Sequence, residues 1–239
     1  MGASVIQGKF GKLPAMVDGR TLRLENYLVA SELPRVPAAS DWTDGGSRWD
    51  ADPLGNNTYG CCAYAAPGHE IALASQLAGI PSPVTAAGVL DAYRATGWDP
   101  ERPETDRGAY LLEVLKQWRN EGICGVRIEA FVSVAPEHVD AAVALFGGLI
   151  VGFNLPSSID GQDIWDDVGD SKIVGGHAVF QFAESPGLGV CNTWGLRQPF
   201  TQRFADRYCD ERYAVLLADR PAPSGLDLDK LRGDLAKLS

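Results

Sequence analysis

The pattern of hydrophobic and polar residues changes about halfway along the chain. Up to residue 122, apolar residues recur at helical spacing and predict helices over 62–78, 82–98 and 106–122. Beyond residue 124 the pattern predicts one helix at 135–148 and otherwise short apolar runs typical of strands, at 125–134, 149–156, 173–184, 188–195 and 212–219. Helices and strands that segregate in this way favour an α+β fold with two lobes around a cleft.

Local signals indicate where these helices begin and end. Ser82 or Thr85 is the expected N-cap of the second helix, and Gly122 is expected to end the third. Pro67 is expected to kink or shift the first turns of the helix at 62–78. Residues 224–239 predict a short amphipathic helix.

Composition and charge narrow the functional classes. The net charge is -10 and no dense block of Lys or Arg is present, so a nucleic-acid-binding surface is not expected. No apolar run reaches about 18 residues, so no membrane span is predicted. Residues 1–16 lack the regions of a secretory signal. Five cysteines, two of them adjacent, indicate reduced thiols in a cytoplasm-like compartment.

One of the three histidines has a context that points to catalysis. His138 begins a predicted helix and is expected at the surface, whereas His69 lies on the helix at 62–78 and is expected to be structural. His177 lies in "GGHAVFQF", and Asn192 follows 15 residues later in "CNTWG", a separation that suits a β-hairpin. A cysteine at a helix N-terminus, a histidine and an asparagine form a nucleophile, base and orienting set.

Several segments resemble elements of the papain-like cysteine peptidases, in the same order. The segment "NNTYGCCAYA" resembles the nucleophile loop of that family, and "GGHAV" and "NTWG" resemble its histidine and asparagine elements. Weaker resemblances are carried by "PAASDW" at 37–42, by 106–123 and by 139–153. The resemblance covers about residues 37–217. The spacing from Gly55 to His69 also resembles a group of phage and bacterial papain-like proteins.

The resemblance favours one of the two adjacent cysteines as the nucleophile. The family has an oxyanion-hole glutamine six residues before the nucleophile and a glycine two residues before it. Counting back from Cys62 gives Asn56 and Gly60, whereas counting back from Cys61 gives residues that fit neither role. Cys62 is therefore the expected nucleophile, with Cys61 as the alternative.

The resemblance also implies roles for the other residues of the site. His177 acts as base and acid, Asn192 orients its ring, and Trp194 shields that contact from water. Asn56, one methylene shorter than the family's glutamine, stabilises the oxyanion together with the nucleophile's own N–H, and Asn57 is the alternative donor. The residues expected along the substrate are Gly60, Cys61, Gly108 and Trp194.

The fold implied by the resemblance has a helical N-terminal lobe, an antiparallel β-rich C-terminal lobe and a cleft between them. Residues 1–36 are then an extension, either a short pro-segment or an arm. Residues 37–220 form the papain-like catalytic domain, and 221–239 form the C-terminal amphipathic helix.

The implied function is hydrolysis of peptide bonds in a polypeptide substrate through a thioester. A phage-encoded, cytoplasmic peptidase that acts on a virion or host protein fits the phage-like spacing. The alternatives are an amide hydrolase of cell-wall peptide and a virion structural or interaction protein that retains the fold. No cofactor or metal is expected, because the acidic loop at 157–172 lacks calcium-loop spacing.

Overall fold

A computed structural model describes residues 8–43, 49–169, 171–218 and 221–238. Residues 1–7 of the predicted extension and Asp170 of the acidic loop lie outside the described residues. The helices are α1 (Cys62–Leu77), α2 (Ala86–Tyr93), α3 (Leu111–Asn120), α4 (Val139–Phe146), α5 (Gln202–Tyr208) and α6 (Leu228–Lys237). The strands are β1 (Ser40–Asp41), β2 (Ile128–Ser133), β3 (Leu149–Pro156), β4 (Ile173–Ser185), β5 (Leu188–Thr193), β6 (Leu196–Thr201) and β7 (Cys209–Leu217).

The strands of the second half form one antiparallel sheet in the order β2-β7-β3-β4-β5-β6, and β1 pairs with β4. The three helices of the first half precede all of these strands except β1. The predicted α+β class with segregated helices and strands is therefore confirmed.

Helix α1 packs against β4 and lies in the interior. Its residues are mostly small and apolar, so the helix is buried on every side from Cys62 to Ser75. The helix continues through Pro67, where a kink or a shift of the first turns was expected. The long central helix of the helical lobe therefore begins at Cys62, inside the protein.

Helices α2 and α3 cover α1 on the helical side. Thr85, one of the two predicted caps, accepts a hydrogen bond from the backbone N–H of Gly88 at 3.1 Å. Helix α3 is shorter than predicted because Gly108 has a φ of +76°, outside the helical region, and the helix begins only at Leu111. The apolar face of α3, which includes Trp118, is buried as its spacing predicts.

Besides the two-residue strand β1, strand β6 and helix α5 of the sheet lobe were not predicted from the sequence. Strand β6 contains Pro199, which is compatible with its place at the edge of the sheet but obscures a strand pattern. Helix α5 has only seven residues, too few to show a helical period.

The N-terminal extension and the C-terminal helix pack against each other. Leu24 and Tyr27 share a buried cluster with Leu231 and Leu235 of α6. The hydroxyl of Tyr27 donates to Asp234 at 3.2 Å, and the backbones pair through an isolated bridge between Leu28 and Leu226. The extension is thus attached to the body of the protein through its later residues, around Leu24 to Leu28. None of the helices in the described ranges is long and apolar enough to cross a membrane.

Candidate active site

The wall of the site on the helical side is built around the loop that leads into α1. The backbone N–H of Gly60 donates to the carboxylate of Asp106 at 3.0 and 3.1 Å. The hydroxyl of Tyr93 donates to the same carboxylate at 2.7 Å and accepts from the backbone N–H of Gly108 at 2.9 Å. This network fixes the loop before Cys62 relative to Gly108.

Asp106 and Tyr93 were missed as supports of the site. Asp106 lies 46 residues from its partner Gly60 along the chain, so no local spacing reveals the contact. The only sequence signal is a charged residue just before the glycine-containing start of α3, in "DRGAY". We call Gly60, Tyr93, Asp106 and Gly108, together with Cys62, the helical wall.

The opposite wall, here called the sheet wall, consists of His177, Asn192, Thr193 and Trp194. Nε2 of His177 lies 2.6 Å from Oγ1 of Thr193. The indole of Trp194 stacks on the imidazole with centroids 4.5 Å apart and planes inclined by 26°. Asn192 donates through Nδ2 to the carbonyl of Asp50 at 2.8 Å. Nδ1 of His177 and Oδ1 of Asn192, both buried, have no hydrogen-bond partner among the described residues.

The β4–β5 hairpin explains this arrangement. The hairpin forms as predicted, but its register pairs Asn192 with Phe180, three residues beyond His177. As a result, the side chain at the imidazole is that of Thr193, which the sequence analysis did not single out. The His177–Asn192 contact that the resemblance implies is not among the hydrogen bonds of this structure. Trp194 does lie over the imidazole face.

The two walls meet at the sulfur of Cys62. The backbone N–H of Ala178, the residue after His177, donates to Cys62 Sγ at 3.4 Å. The sulfur of Cys61 instead lies 3.8 Å from the carbonyl of Leu54, within the helical lobe. The adjacent thiols therefore point to different surroundings, and it is Cys62 that faces the sheet wall.

Residues 8–13 of the N-terminal extension, which we call the arm, run between the two walls. On the sheet wall, the backbone N–H groups of Gly11 and Lys12 donate to the carbonyl of Gly176 at 3.1 and 3.0 Å. On the helical wall, Ala109 donates to the Gly11 carbonyl at 2.8 Å and accepts from Leu13 at 2.9 Å. The arm thus pairs through its backbone with both sides of the cleft.

The first residues of the arm contact the predicted oxyanion-hole residue. The backbone N–H of Lys9 donates to the carbonyl of Asn56 at 2.9 Å. In return, Nδ2 of Asn56 donates to the Lys9 carbonyl at 3.0 Å, and the indole N–H of Trp194 reaches the same oxygen at 3.4 Å. Nδ2 of Asn56 also donates to the Tyr59 carbonyl of its own loop at 2.9 Å, so the amide is held by its loop and donates to a peptide carbonyl in the cleft as well.

Glycines allow the arm to approach the walls this closely. A Cβ added at Gly11 would overlap the carbonyl of Gly60, and one added at Gly108 would overlap the carbonyl of Gly11. Backbone atoms lie on both sides of these contacts, so no side chain can move aside. Next to Gly11, the ring of Phe10 packs against His177 and Trp194 with centroid distances of 6.0 Å to each.

Burial controls the protonation of the thiol and the imidazole in the arrangement with the arm in the cleft. Cys62 is only 1% exposed, and burial raises the pKa of its thiol to about 11, although the N–H groups of Ala178 and Gly11 act in the opposite direction. Burial lowers the pKa of His177 to about 3. With the arm in the cleft, both groups are therefore neutral near pH 7.

The other two histidines lie outside this site. His69 is buried on α1 with its ring 6.2 Å from that of Trp49, and burial lowers its pKa to about 3. His138 is half-buried just before α4.

Together, the segregated helices and sheet and the cleft between them define a papain-like α+β fold, and solved structures bear this out. Xylellain, a cysteine protease from Xylella fastidiosa, matches with a TM-score of 0.69 and 14% identity over 90% of this chain and 98% of its own. Procathepsin L2 from Tenebrio molitor matches with a TM-score of 0.55 and 16% identity, covering 77% and 69%. Bromelain from Ananas comosus, in complex with the E64 inhibitor, matches with 0.51 and 15%, covering 76% and 100%.

No protein-family model matches the chain, and no curated protein is significantly similar to it in sequence. At these low identities, the likeness to solved structures defines the fold. The resemblance to the papain-like peptidases is thereby confirmed for the fold.

Proposed function

We propose that this protein is a cysteine peptidase that hydrolyses peptide bonds with Cys62 as its nucleophile, and that its arm closes the cleft. The observation that carries the proposal is the arm itself. An extended polypeptide is hydrogen-bonded to both sides of the cleft, and the N–H of its Gly11 acts to lower the pKa of the Cys62 thiol. A cleft that binds this segment offers the backbone contacts that a polypeptide substrate needs.

The reaction begins when the arm leaves and a substrate takes its place. The sulfur of Cys62 attacks the carbonyl carbon of the peptide bond while its proton passes to His177. When Nε2–H of the imidazole donates to Thr193, Nδ1 carries the lone pair that accepts this proton. The imidazolium then protonates the leaving amine, and a thioester remains on Cys62. Water, deprotonated by His177, hydrolyses the thioester and restores the thiol.

The oxyanion of the tetrahedral intermediate requires preorganised donors. The backbone N–H of Cys62, at the first position of α1, lacks an acceptor within the helix and is one such donor. The side-chain amide of Asn56 is the other. Its hydrogen bond to the Lys9 carbonyl supports this role, because that bond already has a peptide oxygen as acceptor.

Two further observations support a peptidase. Xylellain is described as a cysteine protease, and bromelain, described as a protease, was solved in complex with an inhibitor, E64. The extension at 1–36 is proposed as the regulatory segment, 37–220 as the catalytic domain and 221–239 as a helix that secures the extension. Origin in a phage and action on a virion or host protein stay predictions from the sequence.

The proposal is tested with the full chain carrying Gly11→Val, which displaces the arm because the added side chain overlaps the Gly60 carbonyl. We expect this variant to cleave members of a broad peptide mixture, as read by mass spectrometry of the products. Adding Cys62→Ala should abolish cleavage, and adding Cys61→Ala, the matched control, should leave it.

Failure to cleave any peptide, with Cys62 open to alkylation, would contradict the peptidase proposal. Release of products from purified peptidoglycan by the same variant would instead support the amide-hydrolase alternative. A Cys62 that stays unreactive towards iodoacetamide after the arm is displaced would favour a structural protein that retains the fold.

A further inference from the structure

The side chain of Lys12 occupies a buried pocket beside the proposed catalytic cleft. Lys12 is 4% exposed, a degree of burial that lysine rarely shows unless it is paired. Its ammonium lies 2.9 Å from Asp210 Oδ2, 3.2 Å from Glu211 Oε1 and 3.2 Å from the carbonyl of Leu13. Three acceptors therefore surround the three hydrogens of one ammonium group.

The pocket is built into the sheet. Gly152 on β3 pairs with Glu211 on β7, and a Cβ at Gly152 would overlap the Lys12 stem and lie 2.7 Å from Cγ of Glu211. The absence of a side chain at Gly152 thus creates the space for a long aliphatic stem. Asp210, at the more exposed end, is fixed by Asn154 Nδ2 at 3.0 Å.

The inner carboxylate requires a cation. Glu211 is 8% exposed, and its Oε2 accepts from the hydroxyl of Tyr213 at 3.0 Å. Its Oε1 is paired with the Lys12 ammonium at 3.2 Å, and no other group among the described residues donates to it. A buried carboxylate without a cation is costly, so the pocket selects for a positive charge once it is occupied.

The pocket lies next to the part of the arm that passes the Cys62 thiol. The N–H of Gly11 acts to lower the pKa of the Cys62 thiol, and the backbone N–H groups of Gly11 and the next residue, Lys12, donate to the carbonyl of Gly176, directly before His177. A polypeptide that replaces the arm would therefore place one of its side chains at the mouth of this pocket.

We propose that the pocket formed by Gly152, Asp210 and Glu211 binds a lysine or arginine side chain of the substrate, and that Lys12 occupies it when the arm is in place. This inference rests on the proposed peptidase function, because it assigns the substrate class of the same cleft. The pocket selects a side chain by its length and charge, so the proposal does not depend on the direction of the substrate chain in the cleft.

The test measures binding separately from catalysis. The full chain carries Gly11→Val to displace the arm, Lys12→Met to remove the tethered competitor and Cys62→Ala to prevent turnover. Acetylated and amidated alanine pentapeptides with central Lys, Arg, norleucine or Glu are titrated by calorimetry. We expect the Lys and Arg peptides to bind at least about thirtyfold more tightly than norleucine, the lower end for loss of one partner of a buried charge pair.

Two further variants in the same background locate the effect. Glu211→Gln should reduce the preference to about fivefold or less, because the remaining partner, Asp210, is partly exposed. Glu113→Gln, a surface carboxylate paired with Lys116 at 2.9 Å, is the matched control and should leave the preference intact. If Glu211→Gln shows no cooperative melting, Asp210→Asn replaces it and should lower the preference in the same direction.

Equal binding of the Lys and norleucine peptides, or no measurable binding of the Lys peptide, would overturn the proposal and leave the pocket as a holder of the arm alone. A preference for Lys that is unchanged in Glu211→Gln, or in Asp210→Asn where that variant replaces it, would also overturn the proposal. If the Lys preference is present but Gly11→Val with Cys62 intact cleaves nothing, the peptidase function fails while the pocket assignment stands.

Discussion

The two walls of the cleft are held in different ways. On the helical wall, Asp106 and Tyr93 tie Gly60 to Gly108 through four hydrogen bonds of 2.7–3.1 Å. On the sheet wall, Nδ1 of His177 and Oδ1 of Asn192 are buried without a partner among the described residues. The helical wall is therefore complete with the arm in place, and the sheet wall holds unused hydrogen-bonding capacity.

This difference matches two tasks of the proposed active site, stabilisation of the oxyanion and transfer of a proton. In the proposed mechanism, the helical wall and the adjacent Asn56 present the nucleophile and the oxyanion donors in a fixed position, which preorganised electrostatic stabilisation requires. In the same mechanism, His177 of the sheet wall accepts and releases the proton. Burial holds His177 neutral, and the proposed mechanism uses its unpaired Nδ1 once the arm leaves the cleft.

The largest effect is expected when the arm is displaced. Gly11→Val should raise the rate of Cys62 alkylation by iodoacetamide at pH 7.5 on the order of a hundredfold, because access of water removes the burial that raises the thiol's pKa. Labelling is read by intact mass and peptide mapping. Gly19→Val is the control, since no atom lies near a Cβ at Gly19. Similar rates for both variants would mean that the arm does not limit access.

The pH profile of the same reaction tests the cause. In the unmodified chain, the thiolate fraction is small at neutral pH, so alkylation of Cys62 should rise with pH towards its pKa of about 11. In Gly11→Val, the profile should level off at lower pH, because a hydrated thiolate is less disfavoured. Profiles that coincide would show that burial by the arm does not set the pKa.

Removing a support of the helical wall should mainly reduce stability. Tyr93→Phe leaves the N–H of Gly108 without its acceptor and Asp106 without one donor, at a cost of about 1–3 kcal/mol in the free energy of unfolding. Urea denaturation measures this cost. Tyr110→Phe is the matched control, because Tyr110 is exposed. Equal stability of the two variants would contradict the role of the network.

A change in the sheet wall should mainly alter reactivity. Thr193→Val removes the hydroxyl at Nε2 of His177 and should lower peptide cleavage by Gly11→Val about threefold to tenfold, within the loss of one net hydrogen bond. The pH dependence of cleavage should shift with it, and Thr193→Ser should restore both. If Thr193→Val loses as much stability as Tyr93→Phe and leaves the pH profile unchanged, the proposed difference between the two walls is wrong.

The helical wall was the more predictable of the two because its signal is local. Asn56, Gly60 and Cys62 lie close together in the sequence, so the spacing that the resemblance implies singled out all three as candidates together. Their supports could not be found this way, since Asp106 meets Gly60 only after α1, α2 and the start of α3 have packed.

The sheet wall depends on strand register, which the sequence leaves open. The hairpin was predictable from alternation, but whether Asn192 or Thr193 reaches His177 depends on a pairing that a one-residue shift would change. The arm was the least predictable part. Residues 8–13 have no periodic pattern, and Lys12 meets its partners almost 200 residues away along the chain.

The attachment of the extension to the body has a consequence for how the cleft can be opened. The carbonyl of Leu22 accepts from Ser133 at 2.8 Å, so an arm that leaves the cleft at Leu13 stays on a tether with a root-mean-square span of roughly 15–18 Å. A short tether of this kind keeps its end at a millimolar effective concentration. Dilution of the protein therefore does not release the arm from the cleft. An incoming polypeptide must compete with an arm whose local concentration is millimolar, whatever the concentration of the protein in solution.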